Sequence, residues 1–272
     1  QAQSGDEKDL KQLIEWLGKQ DGVIAKSANQ LDQALEMLDP SLHTVGYTHI
    51  MFVKGNLQIE DAGLFIAQCE RLLATAAKPQ VSLCARKFVY VGQLFANVCT
   101  RAGVAKRSIL PLRQAISLLQ DEDFQLTALH ADYVQVCLSA KFYRAALPIL
   151  SKEIYSIGGD PDSMKRAGID TTAYLRYFYY AGMVYTGLKR FDDALVAFEN
   201  VFSAPALVLS AIMLEAYKKH ILVSLLHTGQ HNPARSPASM VSRHIRALSA
   251  PYQEAVNAFQ TKSSEDYGKV LE

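Results

Sequence analysis

Apolar residues recur at helical spacing along almost the whole chain, and no long stretch keeps the strict alternation of a half-buried strand. Between residues 81 and 98, apolar side chains follow at separations of 3, 4, 3, 4 and 3, which traces one stripe along a helix. They are Val81, Cys84, Phe88, Val91, Phe95 and Val98. A second stripe runs from Phe191 to Phe202, with Asp192 and Asp193 in its first turn, so a helix is predicted to begin near Arg190. The pattern predicts an all-α chain.

Turn-forming residues divide these stripes into about a dozen helices joined by mostly short turns, which is typical of antiparallel helix pairs stacked in a solenoid. Pro111 follows Ser108 and is predicted to lie at the first position of a helix. Pro148 falls among apolar residues and either starts a second segment or kinks one, and we favour the kink.

One internal pattern matches the tetratricopeptide repeat. Gly182, Tyr185, Ala194 and Phe198 lie at separations of 3, 9 and 4, and Gly187 marks the turn between the two helices. In such a repeat a small residue lets two helices approach and a ring fills the space beside it. The prediction is a right-handed superhelical stack of helix pairs, which is a tetratricopeptide-like α-solenoid.

A weaker copy of this pattern lies earlier in the chain, where residues 140–147 align with residues 188–195. Val134 then takes the glycine position and Cys137 the tyrosine position. A further pair is suspected from the stripe at 81–98 and the helix after Pro111, but the sequence leaves its register open. Stacked neighbours bury the apolar face that a single pair leaves uncovered.

Composition narrows the classes of function. Lys and Arg total 28 against 27 Asp and Glu, so no overall field draws the molecule to nucleic acid or an acidic membrane. The most apolar long segment, residues 205–226, contains too many charges for a spanning helix, and no transmembrane segment is predicted. The four cysteines are far apart in the sequence and form no CxxC pair, which indicates reduced, buried thiols in the cytosol or nucleus.

Two histidine pairings are candidates for chemistry. His227 and His231 lie four apart, a spacing that suits a metal, but Gly229 lies between them and predicts the end of the helix, which favours a polar turn. His130 and Cys137 lie seven apart, roughly 10 Å along a helix, too far for direct proton transfer. His130 is therefore predicted to be a core residue bonded to a neighbouring helix. We predict no catalytic, cofactor or metal site.

The run from Arg176 to Tyr180 combines a cation with four rings, which is typical of single-stranded RNA binding when the rings share a face. Consecutive helical residues fan out around the axis, so these rings are predicted to pack between helices, with Arg176 over a ring. The clusters of Lys and Arg in the sequence are short. In one of them, Glu215 is predicted to pair with Lys218 or Lys219. Nucleic acid is not predicted as a partner.

Three stretches, residues 126–150, 177–195 and 213–230, resemble the family of third subunits of the COP9 signalosome, the complex that removes a ubiquitin-like modifier from cullin-RING ubiquitin ligases. Weaker similarity extends from about residue 31 to residue 252. The resemblance implies N-terminal helical repeats over residues 1–170. It also implies that residues 171–272 are tetratricopeptide-like helices entering a PCI domain, stopping before its winged helix.

The resemblance also implies a function and partners. It predicts a non-catalytic scaffold that docks against other signalosome subunits, the first and eighth above all, and reaches cullin-RING ligases through the whole complex, in the cytoplasm and nucleus. The chain lacks the HxH pattern of the complex's zinc isopeptidase. Two alternatives stay open: an RNA-contacting subunit of a related PCI complex such as initiation factor three or the proteasome lid, and a hydrolase with a deep polar pocket.

Overall fold

The computed structural model describes residues 7–122, 124–152, 154 and 169–261. Within those ranges there are fourteen α-helices, two short 3₁₀ helices and no β-strand, which confirms the all-α prediction. The chain divides into two compact units, Gln1–Asp170 and Thr171–Glu272. The assignment of the second unit to the start of a PCI domain stays a prediction.

The first unit is built around one long central helix. Its helices are α1 (Glu7–Lys19), α2 (Asp21–Lys26), α3 (Ala28–Met37), α4 (Thr44–Asn56), α5 (Ala62–Thr75), α6 (Lys78–Arg101), α7 (Ile109–Leu119), α8 (Ala128–Ser139) and α9 (Leu147–Leu150), with 3₁₀ turns at Ala105–Ser108 and Tyr143–Ala146. Helix α6 packs against α4, α5, α7 and α8. Its predicted apolar stripe is inside, because Val81, Phe88, Val91 and Phe95 are fully buried.

Helix α6 is kinked, which the continuous stripe did not predict. Cys84 has non-helical dihedrals, φ −117° and ψ 22°. Its thiol donates to the carbonyl of Gln80 at 3.3 Å, a bond back to the preceding turn of the kind that bends helices. The side chain of Gln80 in turn holds the start of α4, accepting from the Val45 amide and donating to the Leu42 carbonyl.

Successive helix pairs of the first unit lie side by side. Lys78 at the start of α6 donates to the Gln120 carbonyl after α7, so these two helices are antiparallel. Helices α6 and α8 touch where a Cβ on Gly92 would come within 3.0 Å of Leu129. Glycine at this position therefore allows α6 and α8 to approach closely.

Pro148 corrects one prediction. The favoured kink is not observed, because Pro148 lies in the first turn of α9, directly after the 3₁₀ turn Tyr143–Ala146. The first turn of a helix tolerates proline since its amides have no intrahelical acceptor. Pro111 lies in the first turn of α7, but at its third residue and not at the predicted first position.

The second unit contains α10 (Thr171–Gly187), α11 (Phe191–Phe202), α12 (Ala211–Thr228), α13 (Ser242–Leu248) and α14 (Ala250–Thr261). Helix α11 packs against both α10 and α12, and α14 packs against α12. Helix α11 begins after Arg190, and α12 ends before Gly229, whose φ of 72° stops the helix, so both predicted boundaries are confirmed.

The four cysteines are free and buried, as predicted. Burial raises the pKa of Cys84 and of Cys99 to about 11 and that of Cys137 to about 12. The hydropathy and length of the described helices leave none that could cross a bilayer.

Candidate protein-interaction site

The predicted repeat motif brings its small residue and its ring together. A Cβ on Gly182 would lie 2.5 Å from Cε1 of Phe198, so the ring occupies the space that glycine leaves. Ala194 is fully buried on the same helix as Phe198, and Tyr185 is 8% exposed. Gly187 is the exposed last residue of α10. These contacts hold α10 against α11.

The turn between the paired helices repeats three times along the chain. After α10, the amide of Arg190 donates to the carbonyl of Tyr185 and the amide of Lys189 donates to that of Thr186. The same two bonds follow α8, from Phe142 to Cys137 and from Lys141 to Leu138, and α6, from Val104 to Cys99 and from Gly103 to Thr100. This is the Schellman motif, which satisfies the last carbonyls of a helix.

The residue at the centre of each turn has a left-handed backbone. Gly103 has φ 72°, Lys141 φ 53° and Lys189 φ 59°. The two lysines are the only residues other than glycine with positive φ in the described ranges. Lys141 and Lys189 are themselves aligned positions of the repeat found in the sequence, so the backbone repeats where the sequence does.

The turns also fix the register of the third repeat, which the sequence left open. With Gly103 aligned to Lys141 and Lys189, the sets of equivalent positions can be written for all three pairs. The first-helix positions are Ala96, Val134 and Gly182; the small second-helix positions are Ser108, Ala146 and Ala194; the large ones are Leu112, Leu150 and Phe198. All nine residues are buried. The signal for this register in the sequence was Gly103, which lies just past the end of α6.

His227 and His231 point to different partners. His227 Nε2 lies 2.9 Å from Asp192 on α11, whereas the ring of His231 packs against Tyr217 and His220. Among the described residues no group of three or more His, Cys, Asp or Glu side chains is arranged to hold a metal ion. The pair thus belongs to packing around the end of α12.

His130 belongs to the cap of its own helix. Its Nδ1 accepts the Thr127 amide at 2.9 Å in a capping box. Burial lowers the pKa of His130 to about 4. The high pKa of Cys137 keeps that thiol protonated. The two residues therefore do not form a nucleophile and base.

The aromatic run of α10 is spread around the helix, as predicted. Tyr177 is buried, its ring lies nearly perpendicular to that of Phe178, and Tyr179 packs towards Phe198. Arg176 lies over the ring of Tyr180 at 5.9 Å, which confirms the expected cation-π contact. These rings do not share one stacking face.

The predicted charge pair on α12 is formed by the nearer lysine. Lys218 donates to Glu215 at 2.9 Å, and Lys219 lies 6.0 Å from the centre of the Tyr179 ring. Both lysines are therefore engaged with neighbouring side chains of the second unit.

A buried polar cluster in the second unit was missed by sequence reasoning. Glu199, only 7% exposed, accepts the Ala234 amide at 2.8 Å and lies 3.3 Å from His220 Nε2. Burial lowers the pKa of His220 and of His231 to about 4. The cluster fastens the segment after α12 to α11. Its one signal in the sequence is an acidic residue beside an apolar stripe, which is too common to be diagnostic.

A second missed cluster joins α2, α4 and α6. Lys87 Nζ lies 2.7 Å from His49 Nδ1, and His49 Nε2 lies 2.7 Å from Asp21. Burial and the charge of Lys87 lower the pKa of His49. His49 and Lys87 border a cavity of about 300 Å³ beside Cys84. The raised pKa keeps the Cys84 thiol protonated, so this cysteine is not a ready nucleophile.

Comparison with known proteins gives one consistent family. Residues 7–242 match the family model described as COP9 signalosome complex subunit 3, N-terminal helical repeats. A protein of Dictyostelium discoideum named COP9 signalosome complex subunit 3 is 32% identical over 269 residues, which are 97% of this chain and 62% of that protein. The protein of that name from Arabidopsis thaliana is 34% identical over 264 residues, 95% of this chain and 59% of its own length. The chain thus spans about three fifths of the length of these relatives.

Proposed function

This chain belongs to the COP9 signalosome subunit 3 family, and from that premise we propose that it is a non-catalytic scaffold subunit that docks against other subunits of the signalosome. The observation that carries the proposal is the family match over residues 7–242, which includes all three of the repeated helix pairs. Stacked helix pairs present broad surfaces to partners, and a match to this family says which partners to test.

The proposed partners are the first and eighth subunits, with cullin-RING ligases reached through the assembled complex in the cytoplasm and nucleus. The complex would then remove the ubiquitin-like modifier at its zinc-bearing subunit, and this chain would contribute by holding subunits and substrate in position. The basis for these finer assignments is the resemblance of residues 126–150, 177–195 and 213–230 to the family.

Absence of catalysis is proposed because the candidate groups have other roles. His130 caps α8, His220 lies in the Glu199 cluster, and the pKa of each is lowered to about 4 by burial. A general base near neutral pH needs a pKa close to 7 and a nucleophile within hydrogen-bond reach. The three cysteine thiols with pKa values of about 11 to 12 do not supply one.

The test is a reconstitution with purified subunits. The chain, and a version extended through the winged helix that the resemblance implies, are each mixed with the first and eighth signalosome subunits and analysed by size-exclusion chromatography. A scaffold subunit of the proteasome lid serves as the control partner. A parallel assay follows removal of the modifier from a modified cullin by the chain alone and by the assembled complex.

We expect co-elution with one or both signalosome subunits, no co-elution with the lid subunit, and no cleavage by the chain alone. Equal capture of the lid subunit would replace the assignment by a general PCI scaffold. Failure of both versions to bind would remove the signalosome docking role, and cleavage by the isolated chain would overturn its non-catalytic character.

A further inference from the structure

A groove of about 300 Å³ runs between α7 and α9 in the first unit. The α7 wall carries Leu110 and Arg113, the opposite wall carries Pro148 and Lys152, and the buried Ile149 lies between them. We call these five residues, together with Lys106 and Arg144, the basic groove. Helices α7 and α9 are the second helices of consecutive repeats, so the groove follows from the stacking of two pairs.

The cations of the groove are in matched positions. Lys106 and Arg144 occupy equivalent sites of the two repeats, in the 3₁₀ turns that directly precede α7 and α9 and four residues before Leu110 and Pro148. Both are exposed, as are Arg113 and Lys152. Lys106 and Arg113 lie on the α7 side and Arg144 on the α9 side, so positive charge flanks the groove on both sides.

Three of the four cations have no acidic partner within the described part of the chain. Lys106, Arg113 and Arg144 form no ion pair there, whereas the adjacent Arg107 is bound to Glu70 through two hydrogen bonds of 3.0 and 2.7 Å. In the sequence, Asp121 and Glu122 follow Gln120 at one end of the groove, and Glu153 follows Lys152. Lys106, Arg113 and Arg144 therefore remain available to an acidic ligand.

The groove also exposes apolar surface. Leu110 is 63% exposed, although it lies on a helix whose other face is buried in the core, and Pro148 is exposed opposite it. Exposed apolar side chains bordered by cations are suited to a ligand that is acidic at its edges and apolar at its centre.

We propose that the basic groove docks an acidic segment of a partner protein that carries one large apolar side chain, and this proposal rests on the scaffold function above. Carboxylates of the segment pair with Lys106, Arg113 and Arg144, and the apolar side chain packs on Leu110 and Pro148. A peptide fits better than single-stranded nucleic acid, because the described lining contains no aromatic ring on which a base could stack.

The test measures fluorescence anisotropy of the chain with two synthetic peptides of equal length and charge, each with two glutamates on either side of a central residue. One peptide has leucine at the centre and the other has serine. A uridine oligonucleotide of similar charge is the third probe. Variants are Arg113→Glu and Leu110→Ser, with Arg243→Glu and Leu226→Ser as matched exposed controls in the second unit. Circular dichroism checks the fold of each variant.

We expect the leucine peptide to bind the native chain about tenfold more tightly than the serine peptide, with affinity falling at high salt. Arg113→Glu should weaken the leucine peptide about tenfold, and Leu110→Ser should remove the preference between peptides, while both controls behave like the native chain. The salt response and the peptide preference of the native chain test the groove even where a variant does not fold.

Three results would overturn the proposed peptide docking. They are no binding of either peptide, an equal loss of peptide affinity in the control variants, or binding of the oligonucleotide alone that is weakened in Arg113→Glu. The last would make the groove a nucleic-acid surface. Co-elution with signalosome subunits is scored separately on the same variants. Co-elution without peptide binding would support the scaffold role and reject peptide docking in the groove. Peptide binding without co-elution would support docking in the groove and reject the scaffold role.

Discussion

At the scale of single residues, Gly182 sets the distance between two helices. The separations of the repeat motif predicted a small residue opposite a ring, and the structure places the Phe198 ring where a Cβ would be. The pairing was predictable because the motif encodes a close approach that only small residues allow. Which cations and apolar residues stay exposed was not predictable, since exposure depends on how neighbouring pairs stack.

Gly182→Ala is expected to destabilise the protein by about 1–2 kcal/mol, because overpacking against Phe198 exceeds the gain in helix propensity. Gly46→Ala is the control, since a Cβ there meets nothing within 4 Å. Gly46→Ala should stabilise the protein by about 0.5–1 kcal/mol. Urea unfolding measures both. Gly182→Ala matching or exceeding the native stability would contradict the close packing.

The double variant Gly182→Ala with Phe198→Leu tests the same contact directly. A smaller side chain at position 198 should accept the added methyl group, so the cost of Gly182→Ala should fall by about 1 kcal/mol in that background. Strict additivity of the two changes in unfolding free energy would mean that the two residues do not interact.

His130 predicts a pH dependence of stability. Its pKa is lowered from 6.5 to about 4 in the folded chain, so the unfolded chain binds more protons between these values and stability falls as pH decreases from 6.5 to 4. The loss amounts to about 3 kcal/mol at most for this group. His130→Gln retains a cap acceptor without titrating. Its urea midpoint should change less over this pH range; equal slopes would contradict a neutral, buried His130.

At the scale of elements, the amphipathic stripes predicted helix positions well, because burial of one face governs where a helix forms. The kink at Cys84 was not predicted, and the start of α9 beside Pro148 was the less favoured of two alternatives. Both depend on hydrogen bonds at one turn, from a thiol to Gln80 in the first case and within the 3₁₀ turn before α9 in the second. Hydrophobic periodicity does not report such bonds.

The left-handed turns predict opposite effects for reciprocal substitutions. Lys141→Gly should stabilise the protein by about 1 kcal/mol, because glycine adopts positive φ without the steric cost that a side chain carries. Gly103→Lys should destabilise it by a similar amount at the equivalent position. Thermal melting measures both changes. Shifts of the same sign would contradict the equivalence of the two turns.

The Glu199 cluster predicts how the segment after α12 is held. Glu199→Ala removes the acceptor of the Ala234 amide and the partner of His220, which should cost about 1–3 kcal/mol. Trypsin should then cut after Arg235 more quickly, because local opening exposes the segment. Glu254→Ala, an exposed acidic position on α14, is the control. Equal cleavage rates would show that the segment is held by other contacts.

At the scale of the whole molecule, balanced charge predicts that the chain does not bind nucleic acid as its main activity. Its net charge is +1, so single-stranded RNA at physiological salt should bind no more tightly than about 10⁻⁶ M, the tight end of non-specific binding. A filter-binding titration with a mixed-sequence oligonucleotide measures this. Sub-micromolar binding would bring back the RNA-contacting alternative.

All four thiols lie in the first unit, where three are fully buried and Cys84 is 9% exposed. Cys69, Cys99 and Cys137 therefore react with a thiol reagent only when the surrounding helices open, and the rate of that reaction measures the opening. The helices α10 to α14 contain no cysteine. Alkylation of the isolated chain would thus report on the opening of the first unit alone, without an engineered cysteine.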